Sequence, residues 1–157
     1  MTNKVKAIPD GYHSVTPYLT IRRAAEAIEF YKKALGAKEL FRFDKAGKVS
    51  HAELQIGDSR LMLADEFPEM PDVTSKSPST LKGTTFGLNL YVEDADALFA
   101  RAVKAGGIIK RPLADQFYGD RSGTIEDPFG HLWTISSHVE DVSEDELKKR
   151  MAAMPKG

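Results

Sequence analysis

The spacing of apolar and polar positions in the first half of the chain predicts a strand, a helix and three further strands. Residues 14–21 alternate, with Val15, Pro17, Leu19 and Ile21 on one face and Thr16, Tyr18 and Thr20 on the other. Apolar residues then recur at helical spacing from Ala24 to Leu35, and Gly36 supplies a helix stop. Strands predicted over 38–44, 48–56 and 60–64 complete a βαβββ unit.

The second half of the chain repeats this pattern at an offset of 71 residues. Strands are predicted over 85–92, 108–111, 122–126 and 131–136, and a helix over 95–105. The matching positions are Gly36 and Gly107, Ile21 and Val92, Ala24 and Ala95, Ile28 and Phe99, and Leu61 and Leu132. A type I turn is predicted at Asp127-Pro128-Phe129-Gly130, because Asp, Pro and Gly suit its first, second and fourth positions.

The repeat predicts an α+β fold, a single domain over 12–137 made of two tandem βαβββ modules, 12–66 and 84–137. Each module alone buries one side of its sheet. We therefore expect a curved mixed sheet with helices on the outer face and a concave inner face, here called the cup. Residues 67–83 hold three prolines without periodicity, which predicts a linker. In a C-terminal tail, 138–157, a capping box of Ser143 and Glu146 opens a helix.

Composition narrows the classes of function. The 157 residues include no cysteine, which excludes disulfides and thiolate chemistry. The formal net charge is −1, and the basic residues are scattered, so we expect neither a nucleic-acid nor a membrane partner. The first residues carry no apolar run that resembles a signal peptide, and we expect a cytoplasmic protein.

The paired βαβββ units and the final segment Asp127-Pro-Phe-Gly-His-Leu-Trp133 resemble the vicinal oxygen chelate superfamily, which includes glyoxalase I, extradiol dioxygenases and bleomycin-resistance proteins. Segments 11–18, 51–54, 64–66 and 116–121 resemble the PhnB-like branch. The resemblance covers about residues 12–137 and implies a glyoxalase-like fold.

In metal-dependent members of that superfamily, His, Glu or Gln ligands project into the cup from the first and last strands of each unit. The resemblance places these positions at Thr16, Leu63, Gly87 and Thr134. None is a competent ligand, whereas a catalytic metal site needs about three protein ligands. We therefore expect neither a metal nor another cofactor.

Strand alternation assigns further residues to the cup. Tyr18 and Thr20 follow Thr16, Asn89 and Tyr91 follow Gly87, Leu61 and Asp65 flank Leu63, and Leu132 and Ser136 flank Thr134. This mixture of apolar and neutral polar groups predicts a small-molecule pocket. The predicted ligand-binding residues are Thr16, Tyr18, His51, Glu53, Leu63, Asn89, Tyr118, Arg121 and Thr134, with no catalytic role assigned.

Three of these residues allow several interpretations. His51 and Glu53, predicted on one strand face with Val49 and Gln55, fit a general base with an orienting carboxylate, a relocated metal site or a solvated cross-strand pair. Arg121 fits either a clamp for an anionic ligand or an ion pair with Asp120 or a neighbouring carboxylate.

Three functions follow. The first is a metal-free, homodimeric protein or enzyme that resembles the bleomycin-resistance proteins and binds a small organic ligand. The second is a metal-dependent lyase or dioxygenase of the same superfamily with ligands relocated to His51, Glu53 or Glu66. The third is a non-catalytic, partner-binding module.

Overall fold

A computed structural model describes residues 5–70 and 75–155. The chain divides into two compact units, Met1–Gly83 (unit 1) and Thr84–Gly157 (unit 2). Each contains a four-stranded mixed sheet with a helix packed on it, so the predicted α+β fold of two βαβββ units is confirmed. No described helix is long and apolar enough to cross a membrane.

Unit 1 contains β1 (Tyr18–Ile21), α1 (Ala24–Leu35), β2 (Lys38–Lys45), β3 (Lys48–Ile56), β4 (Ser59–Asp65) and α2 (Pro78–Leu81). Its strand order is β1-β4-β3-β2. The β1–β4 pair is parallel, and the other two pairs are antiparallel.

Unit 2 contains β5 (Gly87–Tyr91), α3 (Ala95–Ala105), β6 (Ile108–Asp115), β7 (Asp120–Glu126), β8 (Leu132–His138) and α4 (Glu144–Ala152). The order β5-β8-β7-β6 repeats that of unit 1, again with one parallel pair between the first and last strands. Ser143 caps α4, since its side chain accepts a hydrogen bond from the Glu146 N–H, as the capping box predicts.

The apolar stripe of each helix packs against one face of its sheet. In unit 1, Ile28 and Tyr31 of α1 are fully buried, as are Leu54 of β3 and Leu63 of β4. In unit 2, α3 packs on β6, β7 and β8. Gly123 permits this close approach, because a Cβ there would lie 2.6 Å from Cε2 of Phe99.

The last strand of each unit also fixes the start of the helix. Asp65 at the end of β4 accepts hydrogen bonds from the N–H of Ala24 at 2.9 Å and of Val49 at 2.8 Å. In unit 2, Ser137 accepts from the Ala95 N–H at 2.9 Å. The bonds to the N–H groups of Ala24 and Ala95 satisfy donors that a helix leaves unbonded at its first turn.

The two units differ in register by one residue after their last turn. Tyr18 pairs with Met62, whereas Asn89 pairs with Thr134, so the offset is 71 residues in the first strands and 72 in the last. Four residues separate the pair Gln55–Arg60, but five separate the equivalent pair Glu126–Leu132. Since strand side chains alternate, the extra residue changes which face each later side chain occupies.

A bulge corrects a second prediction of face. Phe43 pairs with His51 and Asp44 with Val49, so Ser50 has no partner on β2. Val49 is therefore buried on the helix side, whereas His51 and Glu53 face the other way. The prediction that Val49 shares their face is wrong.

Several strand boundaries also differ from the predictions, and the predicted linker contains a helix. β1 begins at Tyr18 instead of residue 14, and β6 continues to Asp115, beyond the predicted limit of 111, with register shifts along it. The predicted linker contains α2, because the Ser77 side chain accepts from the Thr80 N–H and Pro78 fits the first helical turn. Residues 71–74 of that linker lie outside the described residues.

Candidate functional site

The sheet of unit 1 has one face that α1 covers and a second, here called the open face of unit 1. Laterally paired residues share a face, so the register assigns Tyr18, Met62, Glu53 and His51 to the open face. Phe41 and Phe43 pair with Glu53 and His51 and complete it.

His51 is at the centre of this face, with a partner on each ring nitrogen. Its Nε2 lies 3.3 Å from Oε1 of Glu53, and its Nδ1 lies 3.0 Å from the hydroxyl of Tyr18. A carboxylate only accepts, so Nε2 carries the proton, and Nδ1 accepts from Tyr18. Tyr18, His51 and Glu53 thus form a directed hydrogen-bond chain.

The hydrogen-bond chain continues from Glu53 to the segment that precedes β1. The Tyr12 hydroxyl donates to Oε2 of Glu53, and the Arg60 guanidinium lies 4.5 Å from the centroid of the Tyr12 ring. The Tyr12 hydrogen bond is the main cause that lowers the pKa of Glu53, with a smaller contribution from His51 against the effect of burial. Burial, followed by the bond to Glu53, raises the pKa of Tyr12. Glu53 is thereby held as an anion.

Aromatic side chains surround the polar chain. The rings of Tyr18 and Phe41 lie 5.6 and 6.3 Å from that of His51, between centroids. Tyr18, Phe41 and Phe43 are each about half exposed. Burial raises the pKa of Tyr18 above its ordinary value of 10.0, so the hydroxyl is protonated over a wider pH range. The open face of unit 1 therefore combines exposed rings with a hydroxyl that can both donate and accept.

Two cavities flank the sheet of unit 1. One of about 330 Å³ lies between the N-terminal segment and the open face, and it is lined by Ile8, Tyr12, His13, Thr16, Glu53 and Met62, among others. The other, of about 570 Å³, lies at the start of α1, with Arg22, Arg23, Lys48, Asp65 and Glu66 among its lining residues.

The equivalent open face of unit 2 combines neutral polar side chains with Arg111, whose guanidinium donates to Oγ of Ser122 at 3.1 Å. Asn89 pairs with Thr134, whose hydroxyl lies 2.9 Å from that of Thr124. Ser136 donates to Oδ1 of Asn89 at 3.2 Å, and the Tyr118 hydroxyl lies 3.2 Å from Oγ of Ser122.

Sequence reasoning missed a second hydrogen-bond chain at one end of this face. Asp120 accepts from the Tyr91 hydroxyl at 2.6 Å and contacts Nδ1 of His138 at 2.9 Å, while Nε2 of His138 lies 2.8 Å from Asp141. Hydrogen bonds to the carboxylate of Asp120 and, less strongly, to that of Asp141 raise the pKa of His138. Burial acts to raise the pKa of Asp120, but the bonds from Tyr91 and His138 outweigh it and lower that pKa. No local motif joins these residues, because Tyr91 and His138 lie on different strands.

The structure brings most of the predicted site residues together within each unit. Tyr18, His51 and Glu53 interact directly, and Thr16 lines the neighbouring cavity with Glu53. Asn89, Thr134 and Tyr118 lie on the open face of unit 2. Leu63 and Arg121 lie away from these open faces, for different reasons.

Leu63 is fully buried and pairs with Leu19 on the α1 side, so Met62 takes the position predicted for it. The shifted register also places Leu61 and Asp65 on the α1 side.

Arg121 faces α3. Its Nε and Nη2 bind both oxygens of Asp96 at 2.6 and 2.7 Å, and its Nη1 binds Asp115 at 3.0 Å. These bonds raise its pKa. Of the two interpretations of Arg121, the geometry matches the ion pair, with Asp96 and Asp115 as partners instead of Asp120.

The donor atoms do not fit a divalent metal at the four positions that the sequence equates with ligands. With Met62 in place of Leu63, the set is a thioether, two Thr hydroxyls and a glycine, which are poor donors for such an ion. Glu66 is hydrogen-bonded to Ser77 and Thr80 at 2.7 and 2.6 Å. Within residues 5–70 and 75–155, no group of three or more His, Cys, Asp or Glu is arranged to hold a metal.

Comparisons with known proteins agree on the family. The model of the Glyoxalase/Bleomycin resistance protein/Dioxygenase superfamily matches residues 12–135. An uncharacterised Mycobacterium bovis protein, Mb0911c, is 41% identical over 145 residues, which cover 92% of this chain and 95% of that protein.

Solved structures share the fold. TioX from Micromonospora sp. ML1 superposes with a TM-score of 0.62 at 26% identity, covering 81% of this chain and 99% of TioX. The PhnB protein from Bacillus cereus superposes with a TM-score of 0.58 at 19% identity, covering 80% of this chain and 99% of the PhnB protein. At that identity, the second likeness concerns the fold alone.

Proposed function

The chain belongs to the glyoxalase/bleomycin resistance protein/dioxygenase superfamily, and we propose that it binds a small organic ligand on the open face of unit 1 without a divalent metal. The Tyr18–His51–Glu53 chain is the observation that carries this proposal. Members of the superfamily that use a metal place ligands on such a face. Here the donors at those positions are unsuitable, and a directed hydrogen-bond chain lies beside them.

The side chains around the Tyr18–His51–Glu53 hydrogen-bond chain indicate the kind of ligand. Half-exposed rings of Tyr18, Phe41 and Phe43 offer apolar contact area to a planar molecule. The Tyr18 hydroxyl donates to His51, so its oxygen remains free to accept a hydrogen bond from the ligand. A few oriented polar groups among aromatic side chains are typical of small-molecule sites.

The same geometry supports metal-free acid–base catalysis as a second function. If the Tyr18 oxygen takes a proton from a bound ligand, the proton of Tyr18 passes to Nδ1 of His51. The positive charge that forms on His51 is then stabilised by the Glu53 carboxylate at Nε2. One proton leaves the ligand and one arrives at His51, so the transfer is balanced.

We also propose that the chain forms a homodimer and is cytoplasmic. β2 and β6 are edge strands, and exposed apolar side chains on them include Phe43 on β2 and Ile108 and Ile109 on β6. Exposed apolar edges favour pairing with another chain. Analytical ultracentrifugation is expected to give twice the 17.4 kDa chain mass, and a monomer at micromolar concentration would contradict the dimer.

Ligand binding with and without a chelator tests the main proposal. The purified protein is screened against planar organic molecules in EDTA, and hits are measured by calorimetry with wild type, Tyr18→Phe and His51→Ala. Removing a hydrogen-bond partner of the ligand costs about 1.5 kcal/mol, so we expect Tyr18→Phe to weaken binding about tenfold. His51→Ala leaves the Tyr18 hydroxyl without the acceptor that orients it, and we expect it to weaken binding as well. Gln55→Ala, on the same strand face but outside the chain, is the control and is expected to bind as wild type does.

Elemental analysis separates the rival functions. Retention of about one metal per chain after desalting, together with binding that EDTA abolishes, would overturn the proposal in favour of a metal-dependent lyase or dioxygenase. Failure of every ligand to bind would favour a partner-binding module.

A further inference from the structure

The segment that leads into β1 lies against the open face of unit 1 and is held there mainly by one side chain. Residues 5–16 form no helix or strand, and Val5 and Val15 are almost fully exposed. Within this described segment, only Tyr12 makes a side-chain hydrogen bond to the sheet, through Glu53. The segment also forms one wall of the 330 Å³ cavity.

Tyr12 lies on the sheet in the manner of a bound ligand. Its hydroxyl donates to Glu53, and its ring faces the Arg60 guanidinium at 4.5 Å. Gly11, at a φ of +82°, brings the backbone so close to Arg60 that a Cβ would lie 2.4 Å from Nη2.

Arg60 has an unused donor at this contact. Its Nε is buried and has no hydrogen-bond partner in the described part of the chain. A buried donor without a partner is costly, so an acceptor atom there would be favourable. The Tyr12 hydroxyl bonds to Glu53 and its ring covers the face of the guanidinium, but neither group offers an acceptor to Nε of Arg60.

We propose that Tyr12 occupies a subsite for a hydroxylated aromatic ring, and that residues 5–16 form a strap that opens when such a ligand replaces Tyr12. This inference rests on the proposed function, since it specifies the ligand of the same face. The ligand needs an O–H to donate to Glu53 and an aromatic face for Arg60, which a phenol supplies. A second, acceptor substituent on the ring would bind Nε of Arg60.

The space available agrees with a ligand of this size. The adjoining cavity of about 330 Å³ exceeds the roughly 150 Å³ that holds benzene in an engineered protein cavity. The strap requires little disruption to open, because few of its groups bond to the sheet. While Tyr12 is in place, however, the apparent affinity for a competing phenol is reduced by the fraction of molecules in which the strap is open.

Binding of p-cresol to the full chain tests the inference, with toluene as the probe that lacks only the hydroxyl. We expect Tyr12→Ala to bind p-cresol at least about tenfold more tightly than wild type, because the internal competitor is gone. The affinity for toluene is expected to increase much less in the same variant. Adding Glu53→Gln to Tyr12→Ala is expected to remove most of the gain for p-cresol, and Val5→Ala, in the same segment, is the control without effect.

Tyr12→Phe is a second, more conservative variant that tests the inference if Tyr12→Ala does not fold. It keeps the ring on Arg60 but loses the bond to Glu53, so p-cresol is expected to bind more tightly than in wild type, though less tightly than in Tyr12→Ala. Unchanged p-cresol affinity in both variants, or in Tyr12→Phe alone if Tyr12→Ala does not fold, would overturn the inference. If other ligands still bind through His51, the proposed function stands while the strap fails. If a p-cresol gain appears but no ligand depends on His51, the strap stands and the proposed Tyr18–His51–Glu53 site fails.

Discussion

Met62 in β4 and Thr134 in β8 hold equivalent places in their sheets, opposite Tyr18 and Asn89 respectively, although the 71-residue repeat matches Thr134 with Leu63. One additional residue in the β7–β8 turn accounts for the difference. Because strand side chains alternate, the structural equivalent of Thr134 in unit 1 is Met62 on the open face, whereas Leu63 is buried on the opposite face.

Substitution of the neighbours Leu63 and Met62 tests this register. Leu63 is fully buried, so Leu63→Ala is expected to lower the free energy of unfolding by about 2–5 kcal/mol. Met62 is partly exposed, and we expect Met62→Ala to cost less than about 1.5 kcal/mol while changing ligand affinity. Urea denaturation measures both, and a larger loss for Met62→Ala than for Leu63→Ala would contradict the register.

The regular elements were predictable because local signals agree with the tertiary fold. α1, α3 and β3 have the predicted limits, because the apolar spacing of each element, together with Gly36 after α1, indicates the same boundaries. The predictions of sheet face that are wrong depend on single residues. The Ser50 bulge and the longer β7–β8 turn leave apolar spacing within each strand intact, yet each changes a face.

The candidate site was predictable where its residues share a strand. His51 and Glu53 lie two residues apart on β3 and therefore share a face. Tyr12, Arg60 and Tyr18 join them only through strand pairing and the path of the N-terminal segment. For Arg121 the alternatives stayed open in the sequence, because its partner Asp96 is 25 residues away on α3.

Asp127 is expected to be a large contributor to the stability of the β7–β8 turn. Its buried carboxylate accepts from the N–H groups of Phe129 and His131 and from Nε1 of Trp133, at 2.9 to 3.0 Å. Asp127→Ala leaves these donors without that acceptor, so we expect a loss of about 3 kcal/mol in the free energy of unfolding. Asp58→Ala, in the exposed β3–β4 turn, is the matched control, and its expected change is within about 0.5 kcal/mol. Equal losses from the two variants would contradict this role.

Arg121 is expected to act in stability and not in ligand binding. Its bidentate pair with Asp96 joins β7 to the first turn of α3. Arg121→Ala is therefore expected to lower the melting temperature and leave the affinity for any ligand of the open face unchanged. A double-mutant cycle with Asp96→Ala is expected to show non-additive melting temperatures, because both substitutions remove the same pair. A selective loss of affinity for anionic ligands would restore the anion-clamp interpretation.

The Asp120–His138 pair makes stability depend on pH in a defined direction. Hydrogen bonds to the carboxylate of Asp120 and, less strongly, to that of Asp141 raise the pKa of His138 above the ordinary value of 6.5. A group whose pKa is raised on folding contributes fully below its unfolded pKa, and the contribution is lost as the pH rises through the folded pKa. The pKa of Asp120 is lowered, so its contribution is lost only as the pH falls well below neutral. As the pH rises above 6.5, therefore, His138 is the member of this pair whose loss of charge lowers stability.

We expect the melting temperature of wild type to exceed that of His138→Ala most at pH 6, with a difference that shrinks steadily toward pH 8.5. Asp141→Asn leaves the Asp120 contact in place and removes one anionic partner, so it is expected to lower the pKa of His138 without returning it to the ordinary value. An NMR titration of the His138 ring protons measures that pKa directly in both proteins. A wild-type advantage that grows as the pH rises, or a His138 pKa that Asp141→Asn leaves unchanged, would show that these carboxylates do not hold the histidine in its charged form.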